Sequence, residues 1–372
     1  MKLQLAAIDT WFFRDSTPFH MNDSPQTGVV GMFPPYPATV AGAVRAALAR
    51  QAGWDGQTRW RDELVAILGD GPADLGRLHI TGPFVLCDGA PAFPVPRHVV
   101  GCYEEDATWT PKALLRPGRH QVPSDLGPGT RLPEAPVDAG DRRASVLEPG
   151  AGWWLTLPGL RRLLRGELPH PQELLCEHEL WATEPRVGIQ RKRDSRTVED
   201  GALYSTRHVR PSPRVTLGVA LDGAPPSWCI ADSMIPLGGE SRLAACQTWN
   251  GAPEAWFNPP GRDARTAVVV ALTPVLLDAA APARLELVIP GARIVSACID
   301  RPLRIGGWDS RERTPRPLRN AAPPGSVWFC ELLDPDAFHA AVVDGLVRAG
   351  AGTAAGFGLC VTGSAPNWET TK

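Results

Sequence analysis

Leu3, Leu5 and Ala7 alternate with Lys2, Gln4 and Ala6 at the start of the chain, a period of two that predicts a strand. A polar loop follows, and then the period changes. In FPPYPATVAGAVRAALARQAG, Val40, Val44, Ala47 and Leu48 recur at helical spacing. The prolines before them cannot lie inside a helix, Thr39 is placed to cap one, and Gly53 to end it. The opening reads as β–loop–α.

Val215, Leu217 and Val219 alternate again and predict another strand. From Ala267, AVVVALTPVLL is apolar almost throughout, the pattern of a strand buried on both faces. RLELVIPG and VWFCELL predict two more. DPDAFHAAVVDGLVRAG predicts a helix with Asp334 at its N-cap, Pro335 in the first turn and Gly350 beyond its end. Phe338, Val342 and Leu346 make its buried stripe. A glycine-rich loop leads from it into a last strand, GLCVTG. Residues 87–150 are rich in Pro, Gly and Asp and read as a loop-heavy insertion, with LPGLRRLLRGELP as a short basic helix after them. Strands mixed with single helices, in two halves, predict an α+β protein built from two units of the βαββαβ kind.

The 372 residues, 43% hydrophobic and 21% charged, leave room for two cores. A formal charge of -2 excludes a uniformly basic coat, so an anionic ligand has to be met by local patches. Lysine stands only at positions 2, 112, 192 and 372, which makes nearly every positive charge an arginine. Arginine pairs bidentately with phosphate and stacks on bases. A bias that also raises Ala, Pro and Gly accounts for the same preference without any function. The eight cysteines form no CxxC pair and read as buried thiols of a reducing cytoplasm rather than a zinc or disulfide framework. The opening residues lack the apolar core of a signal peptide, and no apolar run nears the roughly 20 residues of a membrane span. A soluble cytoplasmic protein is expected.

Little in the chain points to catalysis. The glycines of AGAGTAAGFG (Gly350, Gly352, Gly356, Gly358) follow a helix and precede a strand. That order is wrong for a dinucleotide or P-loop site, where glycines follow a strand and open a helix. What survives is a loop whose exposed amides form an anion-binding nest. PLGGESRLA lacks the second carboxylate that two-metal chemistry needs, and reads instead as a tight turn presenting Arg242. Of the eight histidines, His20 and His208 are the acid–base candidates, though a solitary loop histidine is more often a plain surface residue. No cofactor and no metal site is expected.

The segment 183–211, TEPRVGIQRKRDSRTVEDGALYSTRHVRP, sets six arginines and one lysine against four acids. It has almost no apolar side chains between Ile189 and Ala202. Further arginines cluster at Arg207, Arg210 and Arg214, and from Arg301 to Arg319. Such runs are usually solvated faces; flanked by Trp, Pro and Gly, they also fit grooves that hold single-stranded nucleic acid.

Six motifs in order carry a resemblance: WFFRDSTPF, FPPYPATVAGAVRAAL, EPRVGIQRKRDSRTVEDGALYS, PLGGESRLA, PRPLRNAAPPGSVWF and GFGLCV. Together they resemble the third subunit of the Cmr module, a repeat-associated mysterious protein (RAMP) of type III-B CRISPR effector complexes, which act in antiviral defence. The resemblance spans the chain and is weakest over residues 87–180. It implies two ferredoxin-like (RRM-like) domains, residues 1–230 and 231–372, the first carrying the insertion and a thumb-like β-hairpin near 186–210. It also implies a non-catalytic subunit that anchors the repeat-derived 5′ handle of the guide RNA beside the large polymerase-like subunit and the backbone RAMP subunit. Carried onto this sequence, the RNA contacts are Arg14, His20, Arg45, Arg186, Ile189, Arg191, Lys192, Arg193, Arg196 and Arg242, with Gly350, Gly352, Gly356 and Gly358 as the glycine-rich loop. Leu203 and Tyr204 root the hairpin, and some of its arginines serve ion pairs because Asp194, Glu199 and Asp200 dilute its charge. A metal-independent RAMP endoribonuclease using His20 is the alternative.

Overall fold

The structure is a computed structural model describing residues 1–14, 31–123, 129–136, 147–191, 194–195, 197–277, 288–309 and 312–364. Two antiparallel sheets organise it. In the first, four strands form the centre, in the order His79–Cys87, Val215–Asp222, Lys2–Ala7, Leu243–Thr248. Counted along the chain that is second, third, first, fourth. The second sheet repeats the order with Ala292–Cys298, Val327–Leu332, Thr266–Ala271 and Leu359–Ser364. The strand order of a βαββαβ unit therefore recurs, while the full set of helices does not. The first half has helices between its first and second strands and short ones, Leu157–Leu163 and Glu177–Leu180, between its second and third, but none between Asp222 and Leu243. The overall class is mixed α/β, mostly antiparallel sheet with few helices.

Both predicted alternating strands lie central in the first sheet, with Leu3, Leu5, Leu217 and Val219 fully buried. The helix Pro37–Gln51 covers that sheet with Val40, Val44, Ala47 and Leu48. It begins on Pro37, whose missing N–H is no loss at a first helical position, and Thr39 does not cap it. Gly53 lies just past its end at φ 89°.

Three expectations are corrected. The residues after Asp334 form a helix only over Pro335–Ala341. A tight turn through Asp344 (φ 52°) and Gly345 (φ 74°) then folds the chain back, and Leu346–Arg348 pairs with the last strand. Gly350 therefore follows a strand, not a helix. The insertion is largely sheet: Ala90–Pro94, Trp153–Thr156 and Leu174–Cys176 extend the first sheet, and Val99–Tyr103, Trp109–Leu114 and Glu148–Pro149 form another. Val95, Val99, Trp109, Leu114, Leu155 and Leu163 supply a small core beneath it. A division at residue 230 would sever Leu243–Thr248 from the sheet it completes. Of the strand expected in RLELVIPG, residues 284–287 lie outside the described residues and residues 288–291 form no strand, the strand starting instead at Ala292.

The halves share a core. Leu276, Ile305, Ala321, Ala355 and Phe357 from the second half pack with Leu3, Val44 and Ile80 of the first.

Candidate nucleic-acid interface

A long two-stranded hairpin, Trp181–Arg191 paired with Val198–Pro211, stands apart from both sheets. Its root is fixed by ordinary core forces. Trp11 and Val209 exchange two backbone hydrogen bonds of 2.8 Å, and both are buried. The Trp181 ring lies edge-on to Phe33 (4.7 Å between centroids) and to Trp154 (5.3 Å). Gly31 passes so close beneath that a Cβ there would stand 2.0 Å from the Arg207 carbonyl oxygen. Farther out the support ends. Val187 is 70% and Ile189 41% exposed, with a bulge between Ile189 and Arg191. An apolar side chain left in water on a narrow ribbon has no core to join, as expected of a finger that meets something else.

Between root and tip sits an ionic cluster. Arg186 donates to Asp9 Oδ2 (2.8 Å) and Glu184 Oε1 (2.9 Å). Arg210 donates to Glu184 Oε2 (2.5 Å) and Asp9 Oδ1 (2.9 Å), and Arg242 reaches Asp9 Oδ2 at 3.3 Å. The hydrogen bonds from Arg186 and then Arg210 hold the Asp9 carboxyl down at about 2. Those from Arg210 and Arg186 lower Glu184 as well. Arg242 arrives there from the expected tight turn, in which Glu240 and Ser241 both take positive φ.

His208 corrects the surface reading. It is buried at the hairpin root, its Nδ1 3.2 Å from Thr10 Oγ1 and its ring stacked on Phe12 (5.0 Å). Burial, with Arg242 and Arg186 nearby, lowers its pKa and so disfavours the charged imidazolium in this packed site.

The remaining expected contacts divide. Arg14 bridges to Gly31 beside the hairpin root. Arg45 faces inward, its guanidinium donating to the carbonyls of Gly71 (2.9 Å), Gly69 (3.1 Å) and Asp74 (3.2 Å) and lying 5.2 Å from the Trp60 ring. It organises a loop rather than presenting a free cation. Arg191 contributes its backbone to the hairpin. His20, Lys192, Arg193 and Arg196 lie outside the described residues. Leu203 and Tyr204 are placed only by register, opposite Ile189 and Gly188. Arg214, grouped with the hairpin by sequence, instead pairs with Asp88 at 2.6 Å.

All four glycines of the glycine-rich loop take positive φ, between 67° and 97°. Their surroundings differ from a nest of free amides. Gly356 and Gly358 are buried, and their amides donate to the Thr353 and Pro274 carbonyls. A Cβ on Gly356 would stand 2.1 Å from the Gly82 carbonyl oxygen of the first sheet. Only Gly350 and Gly352 stand at the exposed end of the loop.

Sequence reasoning missed Asp9 and Glu184. Among the described residues, no cluster of three or more His, Cys, Asp or Glu is arranged to hold a metal ion. No helix there is long and apolar enough to cross a membrane.

Two antiparallel sheets of like strand order and a projecting hairpin laced with arginine define an α/β scaffold of two fused halves. The chain belongs to the Cas_Cmr3 family of CRISPR-associated proteins, whose family model matches residues 3–365. Among solved structures it is similar to a chain of type III-B Cmr-beta bound to cognate target RNA and AMPPnP. The identity is 16%, with 88% of this chain and 86% of that chain covered and a TM-score of 0.51. A chain of Cmr-beta bound to cognate target RNA matches at 15% identity, the same coverage and a TM-score of 0.51. At these identities the likeness is one of fold. No curated relative matches the sequence.

Proposed function

We propose that the protein is a non-catalytic RNA-binding subunit of a type III-B CRISPR effector complex. It holds the 5′ repeat-derived handle of the guide RNA and bridges the large polymerase-like subunit to the backbone. The observation that supports this most is the hairpin itself. It is clamped at Trp11 and Val209, carries Arg186 and Arg210 near its root, leaves Val187 and Ile189 in water, and runs in sequence from Arg191 into Lys192 and Arg193. Phosphates would meet arginine, and splayed bases would meet the apolar face.

Charge reversal of Arg191, Lys192 and Arg193 tests it. In the full chain the triple variant loses binding to handle-bearing RNA by roughly tenfold or more, with a shallower dependence on salt, while its melting temperature stays near wild type. Unchanged affinity defeats the assignment. A single-turnover incubation with repeat RNA in chelator is the companion measurement: cleavage abolished by His20→Ala would establish the endoribonuclease instead.

A further inference from the structure

A second, smaller finger leaves the other half of the molecule. Leu303–Ile305 pairs with Arg319–Ala322, and the same ribbon continues outward as Trp308 opposite Pro315 and Asp309 opposite Thr314. Ile305 and Ala321 root it in the shared core. The Arg316 amide donates to the Gly307 carbonyl at 2.9 Å and keeps the two strands together beyond the sheet.

At its outer part stands Trp308, 58% exposed. Among the described residues every other tryptophan is buried or half-buried. Arg304 is exposed on the same ribbon, Arg301 just before it and Arg313 in the turn at its end, and no ion pair engages their guanidinium groups among the described residues. The contrast with the thumb is direct, since Arg186, Arg210 and Arg242 there all reach carboxylates. A lone indole on a two-stranded ribbon offers a π-face for one base, and exposed arginines along the same stretch of chain match the phosphates of a strand that runs past it.

We infer that the Trp308 ribbon is a second binding site for single-stranded nucleic acid, in which one unpaired base stacks on the indole while Arg301, Arg304 and Arg313 contact the flanking phosphates. The site reads no particular base, because stacking accepts any. A protein partner would need an acidic face to answer these three exposed arginines, whereas every stretch of single strand carries both complements. The inference rests on the reading that this chain works on RNA, but it concerns a different element from the thumb.

The test uses the full chain and a fluorescein-labelled 12-nucleotide RNA of mixed sequence, alongside the same strand made abasic. Trp308→Ala weakens binding to the base-bearing strand by roughly tenfold and leaves the abasic strand unaffected, while Trp308→Phe keeps most of the affinity. Arg304→Glu combined with Arg313→Glu weakens both strands and flattens the salt dependence. Equal losses on both strands, or none on either, overturn the stacking site. Unchanged RNA affinity together with loss of a protein subunit from the assembled complex overturns it in favour of a protein surface. Failure of the thumb variant alone refutes the thumb and leaves this site standing; failure of Trp308→Ala alone does the reverse.

Discussion

The Arg186 guanidinium lies 2.8 Å from Asp9 Oδ2 although 177 positions separate the two residues. Because Asp9 also meets Arg210 and Arg242, one carboxylate holds three cations that would otherwise face outward. With Glu184 the cluster comprises three arginines and two acids, a net of one positive charge. Its geometry resembles an occupied anion site, in which a side chain of the protein stands where a phosphate oxygen fits.

Asp9→Asn is therefore expected to tighten RNA binding. Removing one negative charge from among three guanidinium groups raises affinity by roughly fivefold at low ionic strength and by less at high salt. Titration of labelled RNA at two salt concentrations measures it. A weaker complex would show that Asp9 positions the arginines for RNA rather than competing with it.

Trp181→Ala should cost stability. The ring is 9% exposed and wedged against Phe33 and Trp154, and truncating a buried tryptophan typically costs about 3–5 kcal/mol. Denaturant unfolding gives the number. A loss below about 1 kcal/mol would mean that the hairpin root is not part of the cooperative core.

Gly356→Ala separates architecture from ligand contact. At φ 97°, with a Cβ aimed 2.1 Å from the Gly82 carbonyl oxygen, alanine forces the last loop off the first sheet. The expected loss is more than 1 kcal/mol in a melt, because a left-handed position and a backbone clash act together. A variant of native stability that fails only in RNA binding would place the amide on the ligand after all.

His98 gives the fold a pH dependence. Burial lowers its pKa from 6.5 to about 4, and its ring lies edge-on to Phe329. Between those values the unfolded chain binds the proton and the folded protein does not. Stability therefore falls as pH drops from 6.5 towards 4, by about 3 kcal/mol if the full shift is realised. Melting scans across that range should show the slope, and His98→Phe should remove most of it.

The legible parts of the chain were those whose pattern is local. Strict alternation at Leu3, Leu5 and at Val215, Leu217, Val219 revealed two central strands, because a half-buried strand repeats every two residues whatever its partner. The hairpin near 186–210 was expected only from the resemblance of its motif, since a want of apolar residues by itself fits a solvated loop equally well. The helix after Asp334 misled, since Phe338, Val342 and Leu346 keep helical spacing across a turn that Asp344 and Gly345 impose. The insertion misled because its strands are short and full of proline. Asp9 carried no signal at all. A single acid after a strand acquires its role only when residues 184, 186, 210 and 242 are folded onto it.

The packing of Ala355 and Phe357 among side chains such as Leu3 and Val44 governs when this protein can mature on the ribosome. Its earliest-made sheet stays open on one side until Ala355 and Phe357 have emerged. Synthesis has to pass Phe357 before that sheet is sealed, and a product cut short ahead of it would reach the cell with its interior unclosed.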